Sequence, residues 1–137
     1  MLKEIFEQLK QDIKTAVPSI KKVERYKGEF EKDSNWNPEF PCCFIRYQNY
    51  KPVTRSPQGE VLKAKTFLTL YVGDKDIKAP RVLSTVENII DLFDGTSFKV
   101  NLSGEDYYYN ISLNDRGGEF YGYVKGVEVY TVPIVIS

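Results

Sequence analysis

The chain has 137 residues, which fits a single domain (1–137) at roughly 100–200 residues per domain. Hydrophobic residues make up 42% and charged residues 28%, which is typical of a folded globular protein and too apolar for a disordered one. The 19 basic and 19 acidic residues cancel, which argues against a dedicated nucleic-acid binder, and the absence of histidine excludes Ser-His-Asp or Cys-His catalysis and His-ligated metals.

The first element is predicted to be a helix that ends near Ala16, because Pro18 would remove a backbone donor and clash with the preceding turn. Its apolar residues recur at helical spacing: Leu2, Ile5, Phe6, Leu9 and Ile13. Charges interrupt this segment, so it lacks the unbroken apolar core of a signal peptide, and its mixed polar face favours docking on a sheet over lying on a membrane. No apolar stretch approaches the roughly 20 residues of a transmembrane helix.

A weak strand signal over 23–30 precedes a polar loop over 33–41 that contains Trp36, the single tryptophan. This ring is either packed on the edge of the core or a binding anchor. The adjacent Cys42 and Cys43 begin the next strand, where neighbouring side chains point to opposite faces. They are therefore poorly placed for a shared metal or an ordinary disulfide, and are expected to be two buried thiols in a reducing compartment.

Two long strands, 42–50 and 61–72, form a predicted hairpin. At about 3.3 Å per residue the second would be roughly 40 Å long, which exceeds the ~30 Å width of a domain of this size, so the hairpin should protrude or bend. The Ser-Pro-Gln-Gly sequence at 56–59 suits a type I turn. We call residues 46–65 the arm. Its charges are Arg46, Lys51, Arg55, Lys63 and Lys65 against Glu60 alone, which fits docking on an acidic protein surface, a solvated hairpin, or a nucleic-acid grip.

Asp74 and Asp76 follow in a D-x-D spacing, but the later calcium-loop positions hold Ala79 and Thr85, so a calcium site is excluded. A second helix follows, and it starts either at Pro80 or at a capping box over 84–87. Its apolar face comprises Val82, Val86, Ile89, Ile90 and Phe93, and Gly95 suits the position after its end. Asp91 and Asp94 lie near that end, where the helix dipole disfavours negative charge, so they either serve another purpose or are simply surface residues.

The remainder is predicted to be strands over 98–102 and 107–113, then one bent strand or two short ones over 120–136. Pro133 should lie at an edge or a bulge because it cannot donate to a ladder. The late aromatic residues, including Tyr107, Tyr109 and Tyr123, favour a half-buried sheet face over a ligand-stacking surface. The glycines match neither a dinucleotide fingerprint nor a P-loop, and no catalytic constellation is present, so we expect no enzyme activity, cofactor or metal.

Runs of strands joined by short turns predict an α+β domain with a mainly antiparallel sheet, both helices on one face, and the order α-β-β-β-α-β-β-β. This order of elements resembles the small phage and prophage tail-completion proteins, which include the tail-terminator and Mu-like tail protein families. The resemblance covers nearly the whole chain: the amphipathic first helix, the Pro-preceded strand PCCFIRY, the long strand over 66–71, the helix ending in NIIDLFDG, and the strand-rich end over 127–136.

The resemblance implies a ring of six subunits at the head-proximal end of the tail tube, where it stops tube growth and joins the head. Its partners would be other copies of itself, the tail tube protein and head–tail connector proteins, with no membrane and no nucleic acid except DNA passing through the ring. The implied location is the bacterial cytoplasm during assembly and then the virion tail. A head–tail adaptor, a baseplate component, and a small ligand-binding module that uses Tyr107, Tyr109 and Tyr123 remain alternatives.

Charge is unevenly distributed along the chain. Residues 41–72 contain five basic residues and one acidic, a local charge of +4, whereas residues 73–106 contain four basic and seven acidic, a local charge of −3. We therefore expect a contact between unlike surfaces of neighbouring subunits, which can close into a ring. The candidate interface residues are Arg46, Arg55, Lys63, Lys65, Asp74, Asp76, Asp91 and Asp94.

Overall fold

The structure is a computed structural model, and it describes residues 2–31, 39–59, 61–75, 81–102, 104–114 and 118–137. In these ranges two helices and seven strands follow in chain order: α1 Leu2–Ala16, β1 Lys22–Arg25, β2 Cys42–Arg55, β3 Val61–Asp74, α2 Arg81–Phe93, β4 Thr96–Leu102, β5 Glu105–Leu113, β6 Glu119–Val124 and β7 Val127–Ile136. The α+β class and the end of α1 at Ala16 agree with the sequence analysis.

The seven strands form one sheet in the order β1-β2-β3-β7-β5-β4, and β6 pairs with β7 outside that path. Among the strand pairs of the described residues, only β1–β2 is parallel. The expected order is wrong by one strand, because the last segment forms two strands rather than one. A two-residue loop, Lys125-Gly126, reverses the chain there, and both residues have the positive φ (54° and 79°) that a tight hairpin turn with the correct twist requires.

The sheet curls around α1. This helix contacts β1 and β4, which are the two ends of the strand order, while α2 contacts β3, β7 and β5 between them. Both helices therefore cover the same face, which we call the helix-side face. Its core combines the apolar stripes of the helices with alternate residues of the central strands, such as Leu70, Val72, Val132 and Ile134.

The opposite face, here the far face, has a smaller apolar cluster. Phe30, Phe44 and Tyr71 pack there with Val127 and Val129. Gly73 leaves the room that this packing needs, because a Cβ at that position would lie 3.0 Å from both Phe30 and Val127.

Both cysteines are free and fully buried, as the sequence predicts. Cys43 belongs to the helix-side core and Cys42 to the far-face cluster, so the two thiols point away from each other. Burial raises the pKa of the Cys42 thiol to about 12 and also raises the pKa of Cys43.

Pro133 lies in the middle of the sheet, which corrects the expectation of an edge or a bulge. It pairs with Thr69 of β3 on one side. On the other side β6 ends its pairing at Thr131, and β5 begins at Ile134. Pro133 therefore occupies the break between two strands that share one edge of β7, where a ladder does not need its missing N–H.

Candidate functional site

The arm extends beyond the rest of the sheet. The pairing of β3 with β7 stops at Thr66, and the pairing of β1 with β2 covers only Cys42 to Ile45, whereas β2 and β3 continue to pair as far as Arg55 and Val61. The distal arm (residues 51–55 and 61–65) is therefore a two-stranded ribbon whose outer edges carry no strand from the described part of the chain. This agrees with the protruding hairpin expected from strand length.

The two faces of the arm differ in character. Register places Arg46 opposite Thr69 and Lys51 opposite Lys65, all on the far face of the sheet. The helix-side face carries Tyr47 and Tyr50, each 45% exposed. One face of the ribbon is thus basic and the other is aromatic.

Arg46 anchors the basic face at the base of the arm. Its Nη1 donates a hydrogen bond to the Tyr71 hydroxyl at 3.2 Å, and its guanidinium lies 5.9 Å from the centroid of the Tyr26 ring. The Tyr26 and Tyr71 rings stack at 4.4 Å. The hydrogen bond to Tyr71 raises the pKa of Arg46. The arginine is held by neighbouring rings while its charge stays at the surface.

The tip of the arm forms the predicted turn. The Gly59 amide donates to the Ser56 carbonyl at 2.9 Å, and Gly59 has a φ of +88° that favours glycine. Arg55 Nη1 also donates to the Gly59 carbonyl at 3.0 Å, so this candidate interface residue braces the turn. Lys65 is exposed, and the side chain of Lys63 lies outside the described residues.

The candidate acidic residues divide into two groups. Asp91 and Asp94 are exposed at the end of α2, in the helix layer, and thus on the opposite side of the sheet from Lys65. Asp74 is buried inside the fold at the end of β3, and Asp76 lies outside the described residues, as does Trp36.

Asp74 is engaged within its own chain. Arg81, the first residue of α2, donates through Nε to Oδ2 at 2.6 Å and through Nη2 to Oδ1 at 2.8 Å. The carboxylate is fully buried, while the arginine side chain is 43% exposed. This bidentate pair fastens the start of α2 to the end of β3, and we leave Asp74 out of the proposed intersubunit contact for that reason.

An apolar cavity of about 380 Å³ opens between α1 and the base of the arm. Its walls come from α1, β1, β2 and β3: Lys3, Ile5, Phe6, Leu9, Arg25, Ile45, Tyr47, Thr66 and Leu68. Sequence reasoning missed this cavity, because its walls are assembled from four separate elements. The three tyrosines suggested for a ligand pocket are not among its walls.

The late aromatic residues also separate into different surroundings. Tyr109 packs against the helix-side core, and exposed Tyr107 donates its hydroxyl to Glu105 at 3.0 Å. Exposed Phe120 and Tyr123 of β6 instead form a cluster with Tyr130. The suggested tyrosine set therefore does not act as one group: β5 carries two of its members and β6 the third.

Comparison with models of known protein families finds no match to this chain, and comparison with curated protein sequences finds none either. Among the described residues there is no group of three or more Cys, Asp and Glu side chains that could hold a metal ion. Within those same ranges, neither helix is long and apolar enough to cross a membrane.

Proposed function

We propose that this chain is a structural protein of a phage or prophage tail, a terminator or completion protein that assembles as a ring, with six copies, at the head-proximal end of the tail tube. The observation that carries the assembly part of this proposal is the arm. The resemblance in the order of elements supplies the tail part. The ring ends tube growth and presents a surface to the head, and no catalytic step is assigned to it.

The arm supports assembly because its two faces offer different surfaces to a neighbour. Tyr47 and Tyr50 remain half exposed on one side, whereas Lys51 and Lys65 give the other side a positive charge. Aromatic residues with arginine are typical of protein interfaces, and an exposed edge strand is a surface on which another chain can pair. The arm adds little to the core of its own subunit, so its length is best explained by contact with another.

The charges favour a contact between unlike surfaces. Three basic residues of the arm, Arg46, Lys51 and Lys65, lie on the far face, and the acidic residues Asp91 and Asp94 lie on the helix side. The far face of one copy can therefore meet the helix layer of the next, a contact between unlike surfaces that closes into a ring when its rotation permits. Exposed ion pairs contribute only about 0–1 kcal/mol each, so the charges set the register and apolar contacts supply most of the affinity.

Electron microscopy of particles assembled without this protein tests the tail role. We expect tails of uncontrolled length that lack heads. Normal particles would refute the proposal. Particles in which heads are joined to tails and only the baseplate is defective would favour a baseplate component instead. Tails of normal length that are not attached to heads would favour an adaptor.

Light scattering coupled to size exclusion tests the electrostatic contact. Assembly should weaken as salt rises toward 1 M, where the Debye length is about 3 Å. Lys65→Glu should weaken it, and combining Lys65→Glu with Asp91→Lys should restore part of it. Lys27→Glu, a charge reversal at another exposed lysine, serves as the control. Equal effects of Lys65→Glu and Lys27→Glu would contradict a specific contact through the arm.

A further inference from the structure

The cavity between α1 and the sheet, hereafter the α1 groove, is a surface that its own chain leaves open. Apolar side chains such as Phe6, Ile45 and Leu68 form its walls, and the two cations Lys3 and Arg25 lie among them. No carboxylate of the described residues lines it. A group that combines apolar bulk with negative charge would complement both the walls and the cations of this groove.

A surface with that chemistry exists elsewhere on the same chain. The Phe120 ring contacts the Tyr123 and Tyr130 rings edge to face, with centroids 5.2 and 5.5 Å away. Phe120 is 53% exposed and Tyr123 is 72% exposed, and these two rings form what we call the β6 patch. Glu128, opposite Tyr123 in the ladder, accepts a hydrogen bond from Tyr130 at 3.0 Å and places a carboxylate beside the patch.

The groove and the patch are separated along the direction of the strands of the sheet. Thr66 of the groove wall is where the pairing of β3 with β7 begins in chain order. Phe120 pairs with Tyr130 of β7, and Tyr130 pairs in turn with Val72 of β3. At about 3.3 Å per residue, Thr66 and Val72 are about 20 Å apart along β3. A single copy cannot fill its own groove with its own patch, but two copies can associate head to tail.

We propose that the α1 groove of one copy receives the β6 patch of a second copy. Phe120 enters the apolar part of the groove, and Glu128 approaches Lys3 and Arg25 of the receiving copy. The contact joins unlike surfaces, so an open series of copies has one free groove at one end and one free patch at the other until it closes into a ring. The proposal rests on the proposed function in that it names the contact by which the ring forms.

This contact leaves the basic face of the arm available. The groove lies on the helix-side face, while Arg46, Lys51 and Lys65 project from the far face. The charge contact described above and the groove contact therefore use different surfaces. Aromatic side chains that fill a pocket at the centre of an interface carry much of its affinity. Phe120→Ala should accordingly raise the dissociation constant of assembly at least tenfold.

Photocrosslinking of the full chain tests the contact directly. p-Benzoylphenylalanine in place of Tyr123 keeps an aromatic ring in the patch, and mixing it with isotopically labelled wild-type chain marks crosslinks between copies. We expect mass spectrometry to locate these crosslinks in residues 3–9 or 45–47. The same photoreactive residue in place of Tyr108, which is 73% exposed on β5, is the matched control and should not label those residues.

Each outcome bears on the contact. Crosslinks in the groove from position 123 alone, together with weaker assembly of Phe120→Ala, support it. Crosslinks elsewhere, equal labelling from position 108, or a chain that stays monomeric at high concentration overturn it. A ring that forms but crosslinks elsewhere refutes the groove contact and leaves the tail role standing, whereas normal particles without the protein refute the tail role whatever the crosslinks show.

Discussion

Replacing Arg81 tests how much its ion pair with the buried Asp74 carboxylate stabilises the fold. Breaking a fully buried ion pair by deleting one partner costs about 3–5 kcal/mol, because the remaining charge is left uncompensated. The Asp74 side chain is fully buried, but that of Arg81 is 43% exposed, so water screens part of the interaction. We therefore expect Arg81→Met to lower the free energy of unfolding by about 2–3 kcal/mol, at or below the lower end of that range.

A double-mutant cycle separates the pair from its surroundings. Asp74→Asn with Arg81→Met removes both charges, so the double variant should lose less stability than the sum of the two single variants. We expect a coupling free energy of about 1–2 kcal/mol, within the range for residues in one ion-pair network. Urea unfolding followed by circular dichroism measures all four proteins.

A surface pair supplies the control. Lys99 Nζ lies 3.8 Å from Asp106 Oδ2, with both side chains substantially exposed. Lys99→Met should change the free energy of unfolding by less than about 0.5 kcal/mol. If Arg81→Met cost no more than this control, the buried pair would not fasten α2 to β3, and the reasoning from its burial would be refuted.

Three further predictions concern the arm, a turn and the thiols. Replacing residues 53–63 with Asn-Gly should change the free energy of unfolding by less than about 1 kcal/mol, because the distal arm is exposed and the entropy of loop closure varies slowly with length. The same change should reduce the assembly measured by light scattering. An unfolded product would mean that the arm belongs to the core. Lys125→Asn should stabilise the protein by about 0.5–1 kcal/mol in thermal unfolding, since asparagine tolerates the positive φ at that position better than lysine; a lower melting temperature would contradict this. Cys42 and Cys43 should resist alkylation at pH 8 until the protein unfolds, because burial raises both thiol pKa values well above that pH and shields the sulfur atoms; rapid labelling of the folded protein would show that one is accessible.

Local patterns were sufficient for several elements. The apolar spacing with Pro18 gives α1 its end, and alternation identifies β2 and β3 within a few residues. The turn at 56–59 follows from serine, proline and glycine at their preferred positions. Adjacent cysteines on a strand point to opposite faces whatever the fold, so their separation into two clusters was also predictable.

Other boundaries depended on pairing that the sequence does not display. Alternation alone left 120–136 as either one strand or two, and only the sheet shows that β6 folds back on β7. Pro133 has a similar explanation, since its position between β6 and β5 depends on where two other strands end.

The sequence by itself determined the α+β class and the positive charge of the arm, because each depends on residues close together in the chain. Strict alternation would place Tyr47 and Tyr50 on opposite faces of β2, and a register shift between Tyr47 and Asn49 places them on the same face. Only the tertiary structure decided the rest of the candidate site. The partner of Asp74, the walls of the α1 groove and the separation of the groove from the β6 patch all arise from contacts between elements distant in sequence. Burial and pairing across such distances are set by how the sheet curls around α1, and no local pattern encodes that curl.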